Sequence, residues 1–112
     1  MPGVDERHRQ LIWVIQVLID HLGSNIVSRL AGAQGHLDAY LWPEPGSAGP
    51  DASQAARVRV AYDVWTIIAP DHGDDVVVDW LLTPNLLVGT CPADALAAGD
   101  FFGVLHAAHR FT

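Results

Sequence analysis

Leu11, Val14, Ile15, Leu18 and Leu22 recur at helical spacing and Gly23 follows as a stop, so residues 4–22 read as a first helix. Trp13 and Val17 fall on the opposite face of that helix. A helix that is apolar on two sides must bury both, so this second face packs inside a bundle or meets another chain. Trp13 and Val17 are therefore the dimerisation candidates.

Ser24 can cap a short helix over residues 24–30, residues 31–33 form a glycine-containing joint, and residues 34–42 make a second short helix ended by Pro43. With Ile26, Val27 and Leu30 on one piece and Leu37 and Leu41 on the other, both can share a core with the opening helix. Helix, turn and helix in this order give a helix-turn-helix outline. Residues 43–50, rich in Pro and Gly, form a linker that divides the chain.

Beyond it, Asp51 or Ser53 caps a long helix to Ala69, stopped by Pro70. Val58, Ala61, Tyr62, Trp65 and Ile68 lie on one face and Val60, Val64 and Ile67 on another, which predicts a central helix. An acidic turn follows at residues 71–75. Residues 74–82 suit a strand by their β-branched content or a helix by their acidic start. Thr90 or Cys91 can cap a short helix with Pro92 in its first turn, and Asp100 can cap a last one carrying Phe101, Val104, Leu105 and Ala108.

With 112 residues, half of them apolar, the chain can build a core without staples. Cys91 stands alone, and the first residues lack the basic and apolar regions of a secretory signal, so a cytoplasmic protein is expected. The apolar run at residues 11–19 is much shorter than the roughly 20 residues that span a bilayer, and no membrane association is expected. Six Arg, no Lys and thirteen acidic residues give a net charge of −7, which argues against strong autonomous binding to polyanions.

Candidate chemistry is sparse. His106 and His109 are three apart on a helix, and His72 neighbours Asp74 and Asp75, but neither set has a metal-motif spacing or the four ligands of a closed zinc site. Cys91 near a helix start could carry a thiolate, yet it has no base and orienting group beside it in the sequence. No phosphate-cradling glycine loop is present. The expectation is a protein without catalytic residues, metal or cofactor, hence a binding protein. For DNA, Gln34 and His36 of the helix over residues 34–42 would face a groove and Arg29 nearby would reach phosphate, while that helix itself has no Arg or Lys. Four Trp exceed the needs of so small a core, and Trp is enriched at interface hot spots.

One segment carries a resemblance. Trp80-Leu81, Pro84-Asn85, Leu87, Gly89, Pro92, Ala93 and Leu96, with Gly99-Asp100 before the last helix, resemble the toxin-binding domain of Xre/MbcA/ParS-type antitoxins. The resemblance decides residues 74–82 as helix. It implies an all-α fold, a small helical bundle with a helix-turn-helix-like region over residues 1–45 and a helical toxin-binding domain over residues 51–112. It further implies a type II toxin-antitoxin system in which this chain binds and inhibits a RES-domain, NAD-degrading toxin by occluding its active site, and represses its own operon together with that toxin.

The implied toxin contacts are Trp80, Asn85, Phe101, Phe102, Leu105, His106, His109, Arg110, Phe111 and Thr112, with Phe111, Thr112 and the terminal carboxylate suited to a cleft built for an anionic dinucleotide. The expected assembly is a homodimer or a hetero-oligomer with the toxin. The alternative is a helix-turn-helix transcriptional regulator without a toxin, which would bind an operator by itself. A third reading is a small metal-binding scaffold using His106 and His109.

Overall fold

The computed structural model of the protein describes residues 2–35, 38–44, 46–47 and 49–111, with side chains from Glu6 onward. The fold is all-α. Its helices are α1 (Pro2–Leu22), α2 (Ser24–Ala31), α3 (Asp38–Leu41), α4 (Ala52–His72), α5 (Asp74–Leu82), α6 (Pro92–Ala97) and α7 (Phe101–Phe111). Among the described residues there is no strand, so the β-branched run Val76-Val77-Val78 is helical.

α4 is the axis of the bundle and packs against α1, α2, α5, α6 and α7. Its start is fixed by a capping box. Asp51 Oδ1 accepts the Gln54 backbone N–H at 2.8 Å while Gln54 Oε1 accepts the Asp51 N–H at 2.9 Å. Val58, Ala61, Val64 and Ile68 are buried along it, and burying each of the larger aliphatic side chains contributes about 2 kcal/mol. Tyr62, Trp65, Val60 and Ile67 flank them half-buried, so both apolar faces read from the sequence are used.

α4 does not stop at Pro70. It continues to His72, with Pro70 inside it, and ends where Gly73 takes φ 89° and donates its N–H to Ala69 O. Pro70 comes in the last turn, where few further helical bonds depend on it. Gly73 also begins α5, so the predicted acidic turn of residues 71–75 shrinks to one glycine.

In α1, Ile15, Leu18 and Leu22 are buried and Leu11 and Val14 pack against them. α2 is capped by Gly32 in the left-handed region, φ 75°, and not by Ser24 at its start: Gly23 occupies the N-cap without a side-chain bond. Cys91 likewise stands at the N-cap of α6 without a side-chain bond, whereas Asp100 Oδ1 accepts the Gly103 N–H at 3.1 Å in the predicted way.

The largest departure lies in the predicted helix of residues 34–42. It is reduced to the four residues Asp38–Leu41, preceded by bends at Gln34 and Gly35; His36 and Leu37 lie outside the described residues. The Asp38 carboxylate accepts the Gly35 N–H, and the fully buried Ser28 Oγ accepts the Ala39 N–H at 2.9 Å. These side-chain bonds hold the chain in a turn that competes with a helix through Gly35. The register that results buries Ala39 and Trp42 and leaves Leu41, a predicted core residue, 54% exposed.

The core forms one connected cluster that includes Ile15, Leu30 and Trp42 before residues 43–50 and Val64, Leu81, Leu96 and Val104 after them. No helix among the described residues is long and apolar enough to cross a membrane.

Candidate partner-binding surface

The end of α5 and the chain after it build a tight loop. Thr83 Oγ1 donates to Asp79 O at 2.6 Å, closing the helix, and Asn85 then organises the turn. Its Oδ1 accepts the Leu87 N–H at 2.9 Å, its carbonyl accepts the N–H groups of Val88 and Gly89, and its own N–H reaches Thr90 O. An Asn side chain bonding two residues ahead is a turn former, and Gly89 at φ 92° completes the reversal. The consequence is geometric: Leu86 is fully exposed and Leu87 is 57% exposed, with Leu82 also at the surface.

α7 runs beside α4 in the same direction. Phe101 shares a cleft with Ala52, Ser53, Ala56 and Arg57 at the start of α4, and the Phe111 ring lies 5.0 Å from that of His72 at its end. Val104, Ala107 and Ala108 are buried, and Leu105 packs against the core half-buried. Phe102, one residue off that stripe, is 84% exposed and stacks parallel on His106 at 6.2 Å between ring centroids. His109 and Arg110 are exposed.

Phe111 also lies 6.3 Å from the largely buried Trp80, and both line a shallow cleft of about 230 Å³ with Val76, Asp79 and Thr83. The end of α7 thus packs on α5. Of the expected toxin contacts, the structure brings Trp80 and Phe111 together and pairs Phe102 with His106, while Asn85 serves the backbone of its own turn. Thr112 lies outside the described residues.

Arg29, about half exposed, is engaged within the fold. Its Nε and Nη2 donate to Asp94 at 2.9 and 3.1 Å, and Nη2 also approaches Cys91 Sγ at 3.6 Å. Those hydrogen bonds hold the Asp94 carboxyl below the usual carboxylate range and raise the guanidinium further above its own. Gln34 is exposed and lines an open cleft with Asn25, Arg29 and Ala33, and His36 lies outside the described residues. Trp13 is 57% exposed and meets Tyr62 edge-on at 5.7 Å, while Val17 is half-buried.

Sequence reasoning missed Leu86 and Leu87 as surface residues. Two adjacent leucines between a Pro-Asn stop and a Gly-Thr restart have no helix or strand that could bury both, and that spacing was the available signal. It also missed the link between His21, Trp65 and Asp74, for which the sequence offers no sign. No group of three or more metal-ligating side chains is gathered among the described residues. Comparison with protein-family models, with curated proteins and with solved structures finds no match to this chain.

Proposed function

We propose that this protein is a cytoplasmic antitoxin that binds and inhibits a RES-domain, NAD-degrading toxin through its C-terminal half, and represses its operon together with that toxin. One observation supports the reading beyond the resemblance of residues 80–100. Of the eight large apolar side chains exposed among the described residues, Leu82, Leu86, Leu87, Phe102 and Phe111 fall within the last three helices and the loop between them. Adjacent exposed apolar side chains such as Leu86 and Leu87 are the kind of surface that another protein covers.

On this reading Leu86 and Leu87 reach into the toxin from a turn held rigid by Asn85, and Phe102 with His106 supplies a flat aromatic contact. Rigid aromatic anchors lose little conformational entropy on binding, which is why they dominate interface energetics. Phe111 contributes through the cleft it forms with Trp80. Trp13 is the candidate for a contact between two copies of the chain.

DNA binding belongs to the toxin-bound assembly in this proposal. With Arg29 engaged by Asp94 and α3 only four residues long, an isolated copy has little with which to hold phosphate, and joining several weak modules restores affinity.

The test is cellular NAD in a host expressing the neighbouring RES-type gene, with and without this protein. Preserved NAD with the native chain, and depletion with a folded Leu86→Asp/Phe102→Asp double variant, is the expected result. Depletion in the presence of the folded native protein overturns the proposal.

A further inference from the structure

A second surface feature lies where α1, α4 and the first residue of α5 meet, apart from the cleft of Trp80 and Phe111. Trp65, Thr66, Ala69 and Pro70 of α4 line an open cleft of about 300 Å³ with Asp74 of α5. The cleft is mostly apolar, and the Asp74 carboxylate is its charged group. Trp65 Nε1 donates to Asp74 Oδ1 at 2.8 Å, and His21 Nδ1 lies 2.6 Å from Oδ2, with the imidazole 4.8 Å from the Trp65 ring. The carboxylate is therefore fixed in direction from two sides, and each of its oxygens retains a second lone pair.

These bonds, that from Trp65 foremost, hold Asp74 below the usual carboxylate range, so it is ionised at neutral pH. Asp63 stands one turn before Thr66 on α4, and Asp71 and Asp75 are exposed beside the cleft in sequence; the nearest cation on α4 in that direction, Arg59, is about two turns from Thr66. His72, also exposed, is the other titratable neighbour on α4.

The geometry points to a binding site for an arginine side chain of a partner protein in this cleft, with its guanidinium against the Trp65 indole and its N–H groups directed to the free lone pairs of the Asp74 carboxylate. A guanidinium is planar and weakly hydrated, stacks on an indole and donates in parallel to a carboxylate, whereas an ammonium does only part of this. The apolar walls at Ala69 and Pro70 suit the aliphatic stem of the same side chain. The net charge of −7 complements a basic partner and accelerates its approach. This site is independent of the antitoxin reading: it uses a different surface and stands or falls on its own experiment.

The experiment follows the indole N–H resonances of the four tryptophans in the full chain during titration with N-acetyl-arginine amide, with N-acetyl-citrulline amide as the isosteric neutral control. A saturable shift of the Trp65 resonance in the low-millimolar range, absent with citrulline, is expected. Asp74→Asn, which keeps an oxygen acceptor for Trp65, should weaken binding about tenfold or more. Thr66→Leu fills the cleft from an exposed position and should also abolish the shift, with Trp65 and Asp74 intact. Equal response to citrulline, a shift that stays linear in arginine amide, or native binding by Thr66→Leu overturns the assignment.

Discussion

Arg29 in α2 and Asp94 in α6 join across 65 positions of chain through two hydrogen bonds of 2.9 and 3.1 Å to the two carboxylate oxygens. The pair fastens the N-terminal helices to the last third of the protein. Both side chains are about half exposed, so solvent screens the interaction. Replacing Arg29 with Ala should lower stability by less than about 1 kcal/mol, with the difference shrinking in high salt. The pH dependence has a definite sign. Because Asp94 is held below the usual range in the fold, its contribution is present above about pH 3.9 and is lost as pH falls through the lower folded value. Urea midpoints of the native and Arg29→Ala proteins should therefore converge on acidification, and a constant gap would refute the link.

Gly32 ends α2 at φ 75°, and a Cβ there would stand 2.7 Å from Arg57 Nη1, which itself donates to Ala31 O at 2.9 Å. Gly32→Ala meets both backbone strain and a displaced guanidinium. A loss of about 1 kcal/mol or more is expected in chemical denaturation. Gly46→Ala, also at positive φ but with open space around its Cβ position, should lose less, because only the backbone term remains.

Leu30 and Leu96 are fully buried in one cluster, from helices on either side of residues 43–50. Leu30→Ala should cost about 2–5 kcal/mol. The loss should appear in a single transition, with far-ultraviolet dichroism and tryptophan fluorescence coinciding through denaturation. Two separated transitions would mean that the halves are energetically independent.

Phe102 is the most exposed aromatic side chain among the described residues, and its ring touches His106 only as a surface stack. Phe102→Ala should leave the thermal midpoint nearly unchanged, within about 0.5 kcal/mol of stability. Affinity for the proposed RES-domain partner should fall by about 2 kcal/mol if the ring is an interface anchor, measurable by calorimetric titration. An unchanged affinity removes Phe102 from the contact surface.

Helical periodicity made α1, α4 and α7 legible, because long amphipathic stripes ended by Gly or Pro leave few alternatives. Two boundaries were not. α4 passes Pro70 because a proline in a last turn breaks little, and the predicted helix of residues 34–42 shortened because Ser28 and Asp38 supply side-chain acceptors that no periodicity reveals. The apolar turn at Leu86 could be read from its flanking stops. The Trp65–Asp74 contact and the bond of Arg29 to Asp94 could not, since the first depends on the angle at which α5 leaves α4 at Gly73 and the second on how helices distant in sequence are packed.

The core draws on helices from both sides of residues 43–50, and the described residues of that segment contribute none of its fully buried side chains. Its role is then that of a tether, which sets how concentrated one half is around the other and adds little to their attraction. A chain cut between Gly46 and Ser47 should survive as two pieces held without a covalent bond. The separated peptides, each with its apolar stripes facing water, should recover helicity only when mixed. Such a protein could be reassembled from halves made apart, with the concentration of the scarcer half deciding how much folded material exists.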